Sequence, residues 1–120
     1  MEQQTELEYQ NKVFIEIAKL EFKHKDLYIF AVPNGGKRDL IEAKRMKAGG
    51  VRPGVSDLII FGNSRAVFLE LKTTKGKQSG FQRLFELKVS LNKGFKYMLK
   101  NPATKPIDCA AEVIEWLYGK

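Results

Sequence analysis

The chain is poor in the residues that make metal and thiol chemistry easy to read. It has one cysteine, Cys109, and one histidine, His24, in 120 residues. A single cysteine cannot close an internal disulfide, so the sequence fits a reducing compartment. Neither residue has metal-ligand spacing around it, and neither is assigned any chemistry. No apolar run approaches the ~20 residues that a membrane-spanning helix needs. The first residues, Met1-Glu2-Gln3-Gln4, are polar and acidic rather than signal-like. An intracellular chain, in the cytoplasm of its host cell and with no membrane partner, is the expectation. No repeat, low-complexity tract or linker divides the sequence, so a single domain over residues 1–120 is expected. Acidic residues are the minority: 14 Asp and Glu against 21 Lys and Arg, a net charge of +7. Mere solubility is one reading of that charge, but a basic single domain more often meets a polyanion. Hydrophobic residues at 43% argue for a folded core.

Periodicity gives the order α-β-α-β-β-α-β-α. Residues 5–22 read as a helix with Thr5 as N-cap and Glu8 in its capping box. Leu7, Gln10, Val13, Phe14, Ile17 and Leu20 follow helical spacing. Residues 27–32 read as a strand that stops at Pro33-Asn34-Gly35-Gly36. A short basic helix over 37–48 ends at Gly49-Gly50. A hairpin follows over 57–61 and 65–73, with Gly62-Asn63-Ser64 as the turn signal. The helix over 78–92 has Phe81, Leu84, Phe85, Leu87 and Leu91 as its expected inner residues. Residues 95–99 are a strand. The last helix, 107–118, runs through Ile107, Ala110, Ala111, Ile114 and Leu117, with Trp116 and Tyr118 in the core or an interface. This order predicts an α/β fold with a mixed central sheet flanked by helices. The segment from strand 65–73 through helix 78–92 to strand 95–99 is a parallel crossover.

The chemistry concentrates in the hairpin. Side chains alternate along a strand, so Glu70 and Lys72 point the same way. If Phe61 pairs with Ala66, Asp57 lies opposite Glu70 with Cβ atoms about 5 Å apart. Two carboxylates that close are unfavourable unless a cation lies between them, which suits a hard divalent metal. The plainer reading is a surface ion pair between Glu70 and Lys72, with Asp57 capping a strand end.

Asp57…Glu70-x-Lys72 behind an N-terminal helix resembles the PD-(D/E)XK nuclease superfamily. More closely, the chain resembles the VRR-NUC family of virus-type replication–repair nucleases. The matching stretches are Pro33-Asn34-Gly35-Gly36, Gly50-Val51-Arg52-Pro53-Gly54-Val55-Ser56-Asp57-Leu58 and Phe68-Leu69-Glu70-Leu71-Lys72, with Gln82 in the following helix. The resemblance covers nearly the whole chain and implies a restriction-endonuclease-like core. One departure is Ser56, where the family usually has proline.

The resemblance implies Mg²⁺- or Mn²⁺-dependent phosphodiester hydrolysis. Asp57, Glu70 and the Leu71 carbonyl would hold the metal, Lys72 would orient water or stabilise charge, and Gln82 would sit beside them. The family also uses an acid from the first helix, here Glu6 or Glu8; Glu6 is preferred because it shares the inward stripe. Lys37, Arg38, Lys44, Arg45 and Lys47, with Arg52, Lys75 and Lys77, are candidate phosphate contacts around the mouth of the site. The glycines at 34–36 and 49–50 permit tight turns, and close approach of backbone to phosphate. The implied substrate is branched DNA, four-way (Holliday) junctions foremost, cut by a homodimer. Alternatives are a flap or nicking nuclease, a non-catalytic DNA-binding module, and a subunit that needs a replication or repair partner. The family name points to a virus or mobile element as the encoding source.

Overall fold

Four strands, β1 (Tyr28–Ala31), β2 (Leu58–Gly62), β3 (Arg65–Leu71) and β4 (Phe95–Lys100), form one sheet in the order β1-β2-β3-β4. The computed structural model describes residues 5–33, 40–73 and 76–119. Four helices accompany the sheet: α1 (Glu6–Ala18), α2 (Leu40–Ala48), α3 (Gly80–Ser90) and α4 (Pro106–Tyr118). A 3₁₀ turn over Lys19–Phe22 extends α1. β1, β2 and β3 pair antiparallel, whereas β4 joins β3 in parallel through α3. The mixed sheet and the element order are those expected from the sequence.

Asn63 (φ 56°) and Ser64 (φ 60°) make the two-residue turn between β2 and β3. Two successive left-handed residues match the right-handed twist of a hairpin. This turn fixes Phe61 opposite Ala66 and Leu58 opposite Leu69, the register needed to bring Asp57 and Glu70 together. The turn is also tied to the end of α4. Asn63 donates its backbone N–H to Asp26 Oδ2 (2.7 Å) and its side-chain amide to the Leu117 carbonyl (2.8 Å). Tyr118 donates its hydroxyl to Asp26 Oδ1 at 2.6 Å.

α1 and α4 pack together on one face of the sheet. Their buried residues Tyr9, Val13, Ile17, Cys109, Val113 and Leu117 meet Ile29, Leu58, Ile60, Val67, Leu69 and Leu71. Each such aliphatic or aromatic side chain contributes about 1.5–3 kcal/mol on burial. Thr5 caps α1 as expected, accepting the Glu8 N–H at 3.0 Å. α3 lies on the opposite face, where Phe85 packs edge-on against Phe68 and Tyr97.

Three helices bury different residues from those expected. In α1, Leu7 and Phe14 are exposed, and Tyr9 is buried with its hydroxyl donating to the Thr104 carbonyl. In α4, Ile107 and Ala111 face outward, while Cys109, Ala110, Val113 and Leu117 face the sheet. In α3, Phe81, Leu84, Leu87 and Leu91 are exposed; Val89 is buried and Phe85 half-buried. α3 is apolar on more than one side, so period alone does not choose its inner face. Of the proposed basic helix 37–48, residues from Leu40 onward are helical; Lys37 and Arg38 lie outside the described residues. Asn34, Gly35, Gly36 and Lys75 do too. Among the described residues, no helix is long and apolar enough to cross a membrane.

Candidate active site

Asp57 sits one residue before β2, and its carbonyl accepts the Val32 N–H at 2.8 Å. Its carboxylate reaches across to β3 and accepts the Leu71 N–H at 2.7 Å. A strand residue sends its N–H and C=O to the same side. The Leu71 carbonyl therefore also faces the side on which Asp57 lies. Ser56, where proline was expected, is fully buried and donates its hydroxyl to the Leu58 carbonyl at 3.3 Å. A polar side chain thus secures the approach to Asp57 without proline's ring.

Glu70 is the buried acid of the sheet, only 2% exposed. One of its oxygens, Oε2, accepts from Gln82 Nε2 at 2.9 Å and lies 4.0 Å from Lys72 Nζ. The other, Oε1, is buried with no hydrogen-bond partner. Its carboxyl is pushed up to about 8 by desolvation first and by the charge of Asp57 second, with Lys72 opposing. A carboxylate with an idle, buried oxygen beside a second carboxylate is a place where positive charge is missing.

Gln82 reaches Glu70 because of how α3 begins. Ser79 is the N-cap: its hydroxyl accepts the Gln82 N–H at 3.2 Å, and Gln82 Oε1 accepts the Ser79 N–H at 2.8 Å. This capping box leaves only the amide nitrogen of Gln82 free to turn toward Glu70. Gly54 (φ 86°) lets the incoming loop touch the start of α3, since a Cβ there would collide with the backbone of Phe81.

These groups open onto a cleft of about 580 Å³ that also takes in Glu6, Pro33, Met46, Lys47, Arg52 and Phe81. Of the two first-helix acids, Glu6 lines the cleft; Glu8 is exposed and does not. Glu6 has its carboxyl raised by desolvation and then by Asp57, with Lys72 opposing. Among the basic candidates, Arg52 and Lys47 line the cleft, whereas Lys44, Arg45 and Lys77 are exposed and outside it. Ser79, Phe81 and Met46 carried no functional signal in the sequence; the S-x-x-Q spacing of the capping box is the one clue available for Ser79.

The donor set fits a hard divalent cation. Among the described residues no three His, Cys, Asp or Glu side chains cluster as a ready-made ligand set. Mg²⁺ commonly rests on one or two carboxylates and takes its remaining ligands from water and phosphate. Asp57, the idle Glu70 oxygen and the Leu71 carbonyl supply that minimum.

The fold and this cleft define an α/β domain with a carboxylate–lysine site at the end of a central hairpin. The same fold is found in a solved structure described as a VRR_NUC domain protein, at a TM-score of 0.73 and 22% sequence identity, covering 97% of this chain and 93% of that one. No family model matches the chain. No curated protein matches it either.

Proposed function

We propose that the chain is a metal-dependent nuclease that hydrolyses DNA phosphodiester bonds, with branched DNA, four-way junctions foremost, as substrate. The observation that carries this reading is the pair Asp57 and Glu70, with Glu70 Oε1 buried and unpartnered beside Lys72. The likeness of the fold to a VRR_NUC domain protein supports it.

Asp57, Glu70 and the Leu71 carbonyl would hold Mg²⁺ or Mn²⁺, which when bound polarises the scissile phosphate and makes a bound water more acidic. The chain's own residues do the rest. Lys72, half-buried, presents a cation to the phosphate oxygens or to the attacking water. Gln82 fixes the Glu70 carboxylate through Oε2 and leaves Oε1 without a hydrogen-bond partner. Glu6 adds a third acid at the rim, placed to orient water or to accept a proton. Arg52 and Lys47 contact flanking phosphates and set the strand in register without reading its sequence. Resolving a junction takes two opposed cuts, so the active form on that substrate is a two-fold homodimer.

The test is cleavage of labelled four-way junction, flap, single-stranded and linear duplex DNA with Mg²⁺, Mn²⁺ or EDTA, beside Lys72→Ala. Symmetric, metal-dependent junction cuts that the variant loses are the expected result. Full activity in Lys72→Ala would remove the mechanism. Junction binding without cleavage of any substrate would move the reading to a binding module or to a subunit awaiting its partner.

A further inference from the structure

We infer that the open half of the sheet and the adjoining flank of α3 form the surface through which two copies of this chain associate. This rests on the homodimer in the functional reading above, and names the surface for it.

α1 and α4 pack on one face of the sheet. On the other face α3 sits over β3 and β4, and among the described residues no helix covers β1 and β2. There Tyr28, Phe30 and Phe61 form a ring cluster, with centroids 5.6 Å (Tyr28–Phe61) and 6.1 Å (Tyr28–Phe30) apart. They are 54%, 37% and 45% exposed. The Gly54 loop, which leads into β2, touches the Phe81 backbone, so the side of α3 carrying Phe81 looks toward β2. Helical spacing puts Leu84 and Leu91 on that side as well. Leu84 and Leu91 are 47% and 71% exposed, whereas Phe81 lines the cleft and lies outside the patch. Sheet and helix thus make one apolar step.

With roughly 200 Å² for each fully exposed large side chain, these five residues leave about 500 Å² of surface in water. That is toward the top of what a monomer normally exposes, and approaches the ~800 Å² per partner of a standard interface once a polar rim is added. Lys88 is the one ionisable residue on the described flank. The charge-poor patch lets two chains of net charge +7 meet without opposing their charges at the contact. Association by strand pairing is disfavoured at the β1 edge, because Glu21 Oε2 already accepts the Ile29 N–H at 2.9 Å. The exposed Lys96 protects β4. Face-to-face packing is left.

The experiment is sedimentation equilibrium of the full chain from 1 to 100 µM, without DNA or metal. The wild type should weigh twice 13.7 kDa. Leu84→Glu and Phe61→Glu should each weaken association at least tenfold, with far-UV circular dichroism unchanged. Leu84→Gln, a milder change, should shift it the same way and serves if a charged variant fails to fold. Ile107→Glu, on exposed α4, should leave the mass unaltered. A monomeric wild type at 100 µM overturns the inference. So does a dimer that ignores the patch variants, or that Ile107→Glu weakens equally. Because mass is read without catalysis, an inactive dimer counts against the nuclease reading alone, and an active monomer counts against this interface alone.

Discussion

Gln82 and Glu70 are joined by a 2.9 Å hydrogen bond from the Gln82 amide nitrogen to Glu70 Oε2. The other end of the same amide belongs to the α3 capping box with Ser79. A structural cap and a candidate catalytic contact therefore share one side chain. Ser79→Ala removes the acceptor for the Gln82 N–H and should cost about 1 kcal/mol in urea unfolding. Because it also loosens Gln82, it should lower the rate of cleavage more than it lowers DNA binding. Equal loss of both would mean that Gln82 does not position Glu70.

The raised carboxyl of Glu70 fixes the sign of a pH effect on stability. In the metal-free fold it holds its proton up to about 8, while the ordinary glutamate value is 4.5. The folded state then binds more protons than the unfolded chain between those two values. Stability from this group is full below pH 4.5 and drains as pH rises through about 8. Glu70→Gln keeps the neutral shape. Measured in EDTA, it should match the wild type near pH 4 and exceed its stability by on the order of 4 kcal/mol at pH 8. A constant difference across that range would contradict the assigned protonation.

α3 offers a direct contrast between the two sides of one helix. Val89 is 4% exposed and Leu87 55%. Val89→Ala should destabilise by about 2 kcal/mol, and Leu87→Ala by no more than about 0.5. Chemical unfolding of the two variants checks this. Comparable losses would mean that the helix is turned differently on its axis.

That helix also marks the limit of what the residues reveal unaided. The β2–β3 hairpin was legible because Gly62-Asn63-Ser64 fixes its turn, and the turn sets the register that brings Asp57 near Glu70. The first helix is legible from Thr5, but Tyr9 is not legible as core, because its hydroxyl marks it as polar while a bond to the Thr104 carbonyl lets it be buried. In α3 the apolar stripe is real, but all of it except Phe85 faces away from the core. The helix rests on Phe85 and Val89 and is pinned at its start by a polar contact, Gln82 to Glu70, which hydrophobic spacing does not register. The basic residues were likewise legible as a class. Which of them reach the cleft depends on the loop at Arg52 and the end of α2, neither of which has a periodic signal.

Two glycines flank Arg52, and they should differ in what they tolerate. Gly50 (φ 104°) and Gly54 (φ 86°) both occupy the left-handed region. A Cβ at Gly50 meets open space, whereas one at Gly54 would run into the Phe81 backbone. Gly50→Ala therefore carries conformational strain alone, about 1 kcal/mol. Gly54→Ala adds a collision that only movement of the loop or of α3 can relieve, for a total of roughly 3 kcal/mol. Movement there would carry Arg52 away from the cleft and tilt Gln82 away from Glu70. The expected outcome is that Gly54→Ala loses both stability and cleavage, while Gly50→Ala keeps most of each. Thermal melts and junction cleavage on the two variants decide it; equal behaviour would mean that the loop does not rest on α3 in solution.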